Sequence, residues 1–410
     1  MEKRVVVTGM GAVTALGNTA DATWDGVKAG RHGFAEITKI DISELRVKIG
    51  AQVRDFEFGD KRAGRRMDLF TQYGVTAAAE AMAAARLESG ENIDADRLSV
   101  YVGSGIGGIS TLEKEIRKSE VNGLRKVSPV LVPMIIGNML AGQIAIANRA
   151  KGSAIDIVTA CSCGTNAIGE AWRAIRHGYA DAVIAGGAEA PFAPTCFAGF
   201  VNMTAMSLST DPDRASIPFD KERDGFVMGE GSAILILESL DFAKARGARI
   251  LAELTGYGST NDAFHITQPS ETGEGAAKAM RLALTEAGLQ PGDISYVNAH
   301  GTSTPLNDLF ETRAIKAVFG DDAYRVPISS TKSMTGHMLG AAGAVEAMFC
   351  VKAINDGVIP PTIGHRVRDE ALDLDYVTEG SRRIDVRCAL SNSLGFGGHN
   401  ATVIFQRYED

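Results

Sequence analysis

Cysteine is scarce in this chain, and its number is odd. Five residues (Cys161, Cys163, Cys196, Cys350 and Cys388) among 410 argue against a disulfide framework in a protein of this size. Cys161 and Cys163 stand in C-x-C spacing, but no second pair and no nearby histidine completes a zinc site. Long apolar runs are missing too. The most apolar stretch, residues 338–354, is interrupted by Glu346 and Lys352, which excludes a membrane-spanning segment. After Met-Glu-Lys-Arg the run Val5-Val6-Val7 is too short for a signal peptide and suits a first strand. Basic charge is not in excess: the formal net charge is −8, which disfavours a nucleic-acid partner read through a basic face. The expectation is a cytoplasmic, reduced protein with no membrane insertion and no catalytic metal.

What remains is ordinary globular material, 45% hydrophobic and 22% charged, enough for two domains or one large duplicated one. Short β-branched runs alternate with alanine-rich helical stretches. Strands are expected at 4–8, 99–103, 155–159, 182–185 and 233–238, then at 250–256, 294–299, 326–329, 388–391 and 401–406. Helices are expected at 69–85, 165–176, 275–287, 308–318 and 341–355. Such alternation predicts α/β layers with mostly buried strands. Near residue 250 the order restarts, so the chain reads as two halves, 1–250 and 251–410, whose repeat is topological at most.

The run Val-Thr-Gly9-Met-Gly11-Ala-Val-Thr14 invites a dinucleotide-binding reading. A third glycine is missing and no clear second strand ends in an acidic residue about twenty positions on, and a tight strand-to-loop turn explains the two glycines equally well. The segment Ile155-Asp-Ile-Val-Thr-Ala-Cys161-Ser-Cys163-Gly-Thr-Asn-Ala is more informative. It reads as a buried strand ending in small residues, then a cysteine where a helix begins. Unpaired N–H groups and the helix dipole at such a turn favour thiolate. A buried structural cysteine is the competing reading, and it is assigned to Cys163.

Three further loops carry chemistry. Asn298-Ala-His300-Gly-Thr302-Ser-Thr304 places a histidine at a strand end, where α/β proteins keep their sites, with hydroxyls suited to an amide-bearing ligand arm. Thr331-Lys332-Ser-Met-Thr-Gly-His337, followed by Glu346, brings a cation and a carboxylate near a second histidine. The pair could neutralise itself, orient His337, or do both. In Ser391-Asn392-Ser-Leu-Gly-Phe396-Gly-Gly-His-Asn the glycines let a backbone N–H approach a ligand closely, as an oxyanion hole requires, beside one exposed Phe.

Together these motifs resemble the β-ketoacyl-acyl-carrier-protein synthases, the thiolase-fold condensing enzymes, along the whole chain. Arg-Asp224-Gly-Phe-Val and Gly186-Gly-Ala-Glu189 add lesser matches, and Gly103-Ser-Gly-Ile106-Gly-Gly is similar to the synthase II branch. The resemblance implies a five-layered αβαβα core of two similar halves, usually a homodimer, and no cofactor. It implies that Cys161 carries the acyl chain while malonyl-carrier protein loses CO₂ and attacks it. His300 and His337 would stabilise the enolate. The N–H groups of Cys161 and Phe396 would form an oxyanion hole, Thr302 and Thr304 would bind pantetheine, and Lys332 and Glu346 would support the site. Ile106 would gate the acyl tunnel, and Phe396 would act as a door. Some members hold a structural cation near residues matching Asn298, Glu346 and Asn392.

An acidic carrier protein implies a local basic patch, for which Lys61, Arg62, Arg65, Arg66, Arg125 and Lys126 are the candidates. Thr204 stands where some relatives carry Arg. A thiolase would need a second reactive cysteine where Phe396 stands. A chain-length factor would lack Cys161, and a starter synthase would have Asn for His337. A polyketide ketosynthase has the same catalytic residues and is the alternative to fatty-acid elongation.

Overall fold

The computed structural model describes residues 2–409. Ten strands join one hydrogen-bonded sheet: β1 (Val5–Val13), β2 (Leu98–Gly103), β3 (Ala154–Asp156), β4 (Ala182–Glu189) and β5 (Gly231–Ser239), then β6 (Ala252–Asn261), β7 (Tyr296–Asn298), β8 (Ile328–Ser329), β9 (Cys388–Gly395) and β10 (His399–Gln406). Their order in space is β8-β7-β9-β10-β6-β1-β5-β4-β2-β3. Outward from the antiparallel β1–β6 pair the two sides repeat one plan, two antiparallel pairings followed by two parallel ones. The repeat invisible in residue identities is therefore plain in topology.

Five helices complete the layers: α1 (Leu69–Ala85), α2 (Cys163–Arg176), α3 (Glu274–Ala287), α4 (Pro305–Phe319) and α5 (Ala342–Asp356). α1 covers β1, β5 and β4 on one outer face, and α3 covers β6 and β10 on the other, with α4 beside it. α2 and α5 lie between the halves and touch strands of both. Twelve of the fifteen residues of α5 are buried, as a helix packed on all sides requires. The result is an αβαβα sandwich. Strand alternation serves it: Leu235 and Leu237 of β5 enter the central core, while Ile234 and Ile236 enter the core under α1.

Two expectations are corrected. Gly9 and Gly11 form no turn; they lie inside β1. A Cβ at Gly9 would stand 2.2 Å from the Ala81 carbonyl oxygen and one at Gly11 2.1 Å from that of Ala77, so the glycines admit the backbone of α1. The strand before Cys161 is shorter than expected and is not buried. β3 is a sheet edge with Ile155 40% exposed, because only β2 pairs with it, and Val158, beyond its end, is 60% exposed. Among the described residues no helix is long and apolar enough to cross a membrane.

Candidate active site

The nucleophile turn follows β3. Ala160 takes φ +52°, a left-handed conformation that a residue with a Cβ adopts at a cost of about 1–2 kcal/mol. The 3-10 turn Ala160–Ser162 then runs into α2, whose first residue is Cys163. Cys161 is buried, and the Phe396 N–H hydrogen-bonds to it. A Cβ on Gly395 would sit 2.8 Å from the Thr159 oxygen and 3.2 Å from the Cys161 nitrogen, so glycine there lets the Gly-rich loop close on the sulfur. Phe396 is half-buried rather than exposed, stacked on Phe200 with ring centroids 6.4 Å apart. The expected thiolate is overturned in the free site. Burial pushes the Cys161 thiol up to about 12, against the opposing pull of the Lys332 charge and the Phe396 N–H. Cys163 keeps the structural part: its Sγ accepts the Thr159 N–H at 3.1 Å.

His300 lies just beyond β7. Its N–H and that of Gly301 both donate at 2.8 Å to the carboxylate of Glu311, buried in α4. Ser330 donates to the Gly301 carbonyl at 2.6 Å. His337 is fixed by its backbone, donating to the Val227 carbonyl at 2.7 Å and accepting from Gly229 at 2.9 Å. Burial and the nearby Lys332 ammonium hold both imidazoles well below the ordinary histidine range, so both are neutral.

Lys332 forms a buried ion pair with Glu346. Burial raises the Glu346 carboxyl to about 7, against the pull of that ammonium. Of the two, Lys332 acts on the histidines through its charge. Asn298 Oδ1 and Glu346 Oε2 are buried with no hydrogen-bond partner among the described residues. Both are the oxygen donors a hard cation takes. Asn392 fits such a site less well, because its Oδ1 accepts the Thr402 hydroxyl at 2.8 Å.

A cavity of about 400 Å³ unites Cys161, His300, His337, Thr302, Thr304 and Phe396, with Met203 and Thr204 also in its wall. The Thr302 and Thr304 hydroxyls stand 2.9 Å apart. Ile106 is not in the lining. Its N–H donates at 3.1 Å to Glu189, which also accepts from the Ser104 hydroxyl and the N–H groups of Gly105 and Gly340. Lys61, Arg62, Arg65, Arg66, Arg125 and Lys126 are all exposed and lie outside the cavity. Glu311 was missed by sequence reasoning, and Glu189 was noticed only as part of a motif. Both act by accepting backbone N–H groups, a role that leaves no spacing signature.

The β-ketoacyl synthase N-terminal domain matches residues 2–243 and the C-terminal domain matches residues 251–366. The chain is 48% identical over 410 residues to 3-oxoacyl-[acyl-carrier-protein] synthase 2 of Staphylococcus aureus (strain COL), covering 99% of each. It is 49% identical over 412 residues to the Synechocystis sp. protein of the same name, covering 100% of this chain and 99% of the other. Among solved structures it is similar to a ketosynthase of a type II PKS, in complex with its acyl-carrier protein and bound to the hexaketide (TM-score 0.93, 33% identity, 100% of both chains). A β-ketoacyl synthase from Burkholderia phymatum STM815 gives a TM-score of 0.92 at 36% identity, over 99% of this chain and 100% of the other.

Proposed function

The chain belongs to the β-ketoacyl synthase family, and from that membership we propose how the residues around Cys161 divide its reaction. The reaction is an acyl transfer followed by a decarboxylative Claisen condensation, giving 3-oxoacyl-acyl-carrier protein in fatty-acid elongation. Greater identity to the synthase 2 proteins than to the polyketide ketosynthase favours elongation over polyketide assembly.

Cys161 Sγ attacks the thioester carbonyl carbon of acyl-carrier protein. The bond to the pantetheine sulfur breaks, that sulfur takes the thiol proton, and the acyl group stays on Cys161. The oxyanion formed in passing accepts the N–H groups of Cys161 and Phe396. Malonyl-carrier protein then enters, its pantetheine amides hydrogen-bonded by Thr302 and Thr304. CO₂ leaves, and its bonding pair remains as an enolate whose oxygen accepts hydrogen bonds from His300 and His337. Neutral imidazoles suit this task, since each can donate an N–H without a net charge to desolvate. The enolate carbon attacks the acyl carbon, the Cys161 sulfur leaves, and a solvent proton restores the thiol. Lys332 and Glu346 support the histidines, and Asn298 and Glu346 would hold a structural cation where one binds.

The halves 1–250 and 251–410 split this work, the first bringing Cys161 and the second both histidines, Lys332 and Phe396. A carrier protein with an acidic face would dock on the exposed basic residues from Lys61 to Arg66 and at Arg125 and Lys126. The uncovered edge strand β3 supports pairing with a second copy. A cytoplasmic setting would keep the Cys161 thiol reduced.

The single observation that carries this reading is one cavity walled by Cys161, His300 and His337, with the Phe396 N–H on the sulfur. Half-reactions test it. With His300 or His337 changed to Ala, malonyl decarboxylation falls by about two or more orders of magnitude, as on removal of an oxyanion donor, and acyl transfer to Cys161 suffers less. Equal loss in both would make a histidine the base of the thiol instead.

A further inference from the structure

His337 owes its place to a strip of backbone, residues 227–229, hydrogen-bonded to it on both sides of the residue: to Val227 at 2.7 Å and from Gly229 at 2.9 Å. The two chains lie in contact. A Cβ on Gly229 would be 2.7 Å from the Thr335 oxygen, and one on Gly336 2.9 Å from that of Val227. Phe226, at the head of the strip, meets the His337 ring edge-on with centroids 5.4 Å apart. With no room between them, the strip cannot shift without moving the histidine.

The strip is fastened at the next residue. The Glu230 side chain is 1% exposed, accepts the Val53 N–H at 2.9 Å and forms an ion pair with Lys39. Lys39 donates in turn to the Tyr73 hydroxyl of α1 at 2.9 Å. Ala51 closes the other edge, donating to the Met228 carbonyl at 2.8 Å. This chain of contacts starts at the surface, where the Lys39 side chain is 30% exposed beside a groove walled by Asp55, Glu57 and Tyr73. It ends at the backbone of His337; Lys39, Tyr73, Glu230 and residues 227–229 all lie outside the cavity, whose wall is reached only by Phe226 and His337 themselves.

We propose that Glu230, held by Lys39 and Tyr73, is a positioning residue that fixes His337 for the decarboxylation step. The proposal rests on the role given to His337 above. A buried carboxylate paired to an ammonium and to a backbone N–H is a stiff anchor, since losing either partner leaves charge or a donor uncompensated. Placement errors of an ångström in such a group are felt in rate more than in binding.

The test measures both half-reactions in Glu230→Gln, Lys39→Met and the double variant, with His337→Ala alongside. Malonyl decarboxylation is expected to drop roughly tenfold or more in Glu230→Gln and less in Lys39→Met. Acylation of Cys161, read by mass spectrometry, should stay within about twofold, and KM should move less than kcat. The double variant should be no slower than Glu230→Gln, because the two residues act as one unit. If Glu230→Gln does not fold, Lys39→Met, altered at the partly exposed end, carries the test alone. Parallel loss in both half-reactions, or none in either, overturns the anchor while the His337→Ala result keeps the role of His337. If His337→Ala spares decarboxylation, that role falls and the anchor falls with it.

Discussion

The imidazoles of His300 and His337 stand edge to face, ring centroids 5.3 Å apart and planes at 87°. Both are buried near the ammonium of Lys332, and His300 also has His337 against it. Protonating either ring would put a second cation into that space, so both stay neutral in the folded protein.

This makes unfolding take up protons. An unfolded histidine titrates near 6.5, whereas these two titrate well below that when folded. As pH falls below about 6.5 the unfolded histidines bind protons that the folded ones refuse, which lowers stability, while the buried carboxyls of Glu346 and Glu311, raised to about 7, take up protons in the fold and oppose it. The slope is about 1.4 kcal/mol per pH unit for each histidine. Urea melts at successive pH values should show the histidine contribution as the difference in slope between wild type and a His300→Asn/His337→Asn double variant. An unchanged slope would mean that the rings accept protons while folded.

The reactive turns were legible because strand-end cysteine and histidine beside glycine are local patterns. Helix 69–85 was legible to the residue, since an alanine-rich helical stretch is a local pattern as well. The partners were not. Glu311 is one more carboxylate on a helix until the fold sets it under the N–H groups of His300 and Gly301. β3 reads as a buried strand because its β-branched residues say nothing of whether a neighbour lies on each side. The Cys161 thiol was misjudged for the same reason: helix position is visible in sequence, but the burial that outweighs it is not.

The two neighbouring thiols should separate cleanly. Cys161→Ala removes the acyl adduct altogether, while Cys163→Ala leaves it on Cys161. Cys163→Ala should instead lower stability by about 1 kcal/mol, because the partly buried Thr159 N–H loses its acceptor. Mass spectrometry after incubation with acyl-carrier protein, together with a thermal melt, reads both outcomes. An adduct on Cys163 would falsify the assignment of the nucleophile.

Docking should respond to charge and to salt. Arg65→Glu or Lys126→Glu should raise KM for carrier-bound substrate and flatten its dependence on ionic strength, since screened attraction is what each change removes. kcat should hold, because both side chains are exposed and stand outside the cavity. Steady-state kinetics at low and high salt decide it. An unchanged KM in both variants would dismiss the basic surface.

Chain length should answer to Ile106. The loop that carries it is gripped by Glu189 through the Ser104 hydroxyl at 2.8 Å and the N–H groups of Gly105 at 2.7 Å and Ile106 at 3.1 Å. Its far side is equally tight, since a Cβ on Gly108 would lie 2.4 Å from the Met134 oxygen. By resemblance to the synthase II branch a long acyl chain would run past the Cys161 cavity, which Ile106 does not line, to this loop, and a loop held at both ends cannot retreat far to make room for both the chain and a larger side chain. Ile106→Phe should shorten the longest accepted primer, the added volume bringing strain of about 1–3 kcal/mol, and should spare short primers that do not reach so deep. Loosening the grip should do the reverse. Glu189→Gln keeps the side-chain volume but weakens the hydrogen bonds to the loop, and should relax the length limit. The measurement is kcat/KM across a series of primer lengths for wild type and both variants. A uniform drop at every length would show Ile106 to be ordinary packing, with the acyl chain running elsewhere.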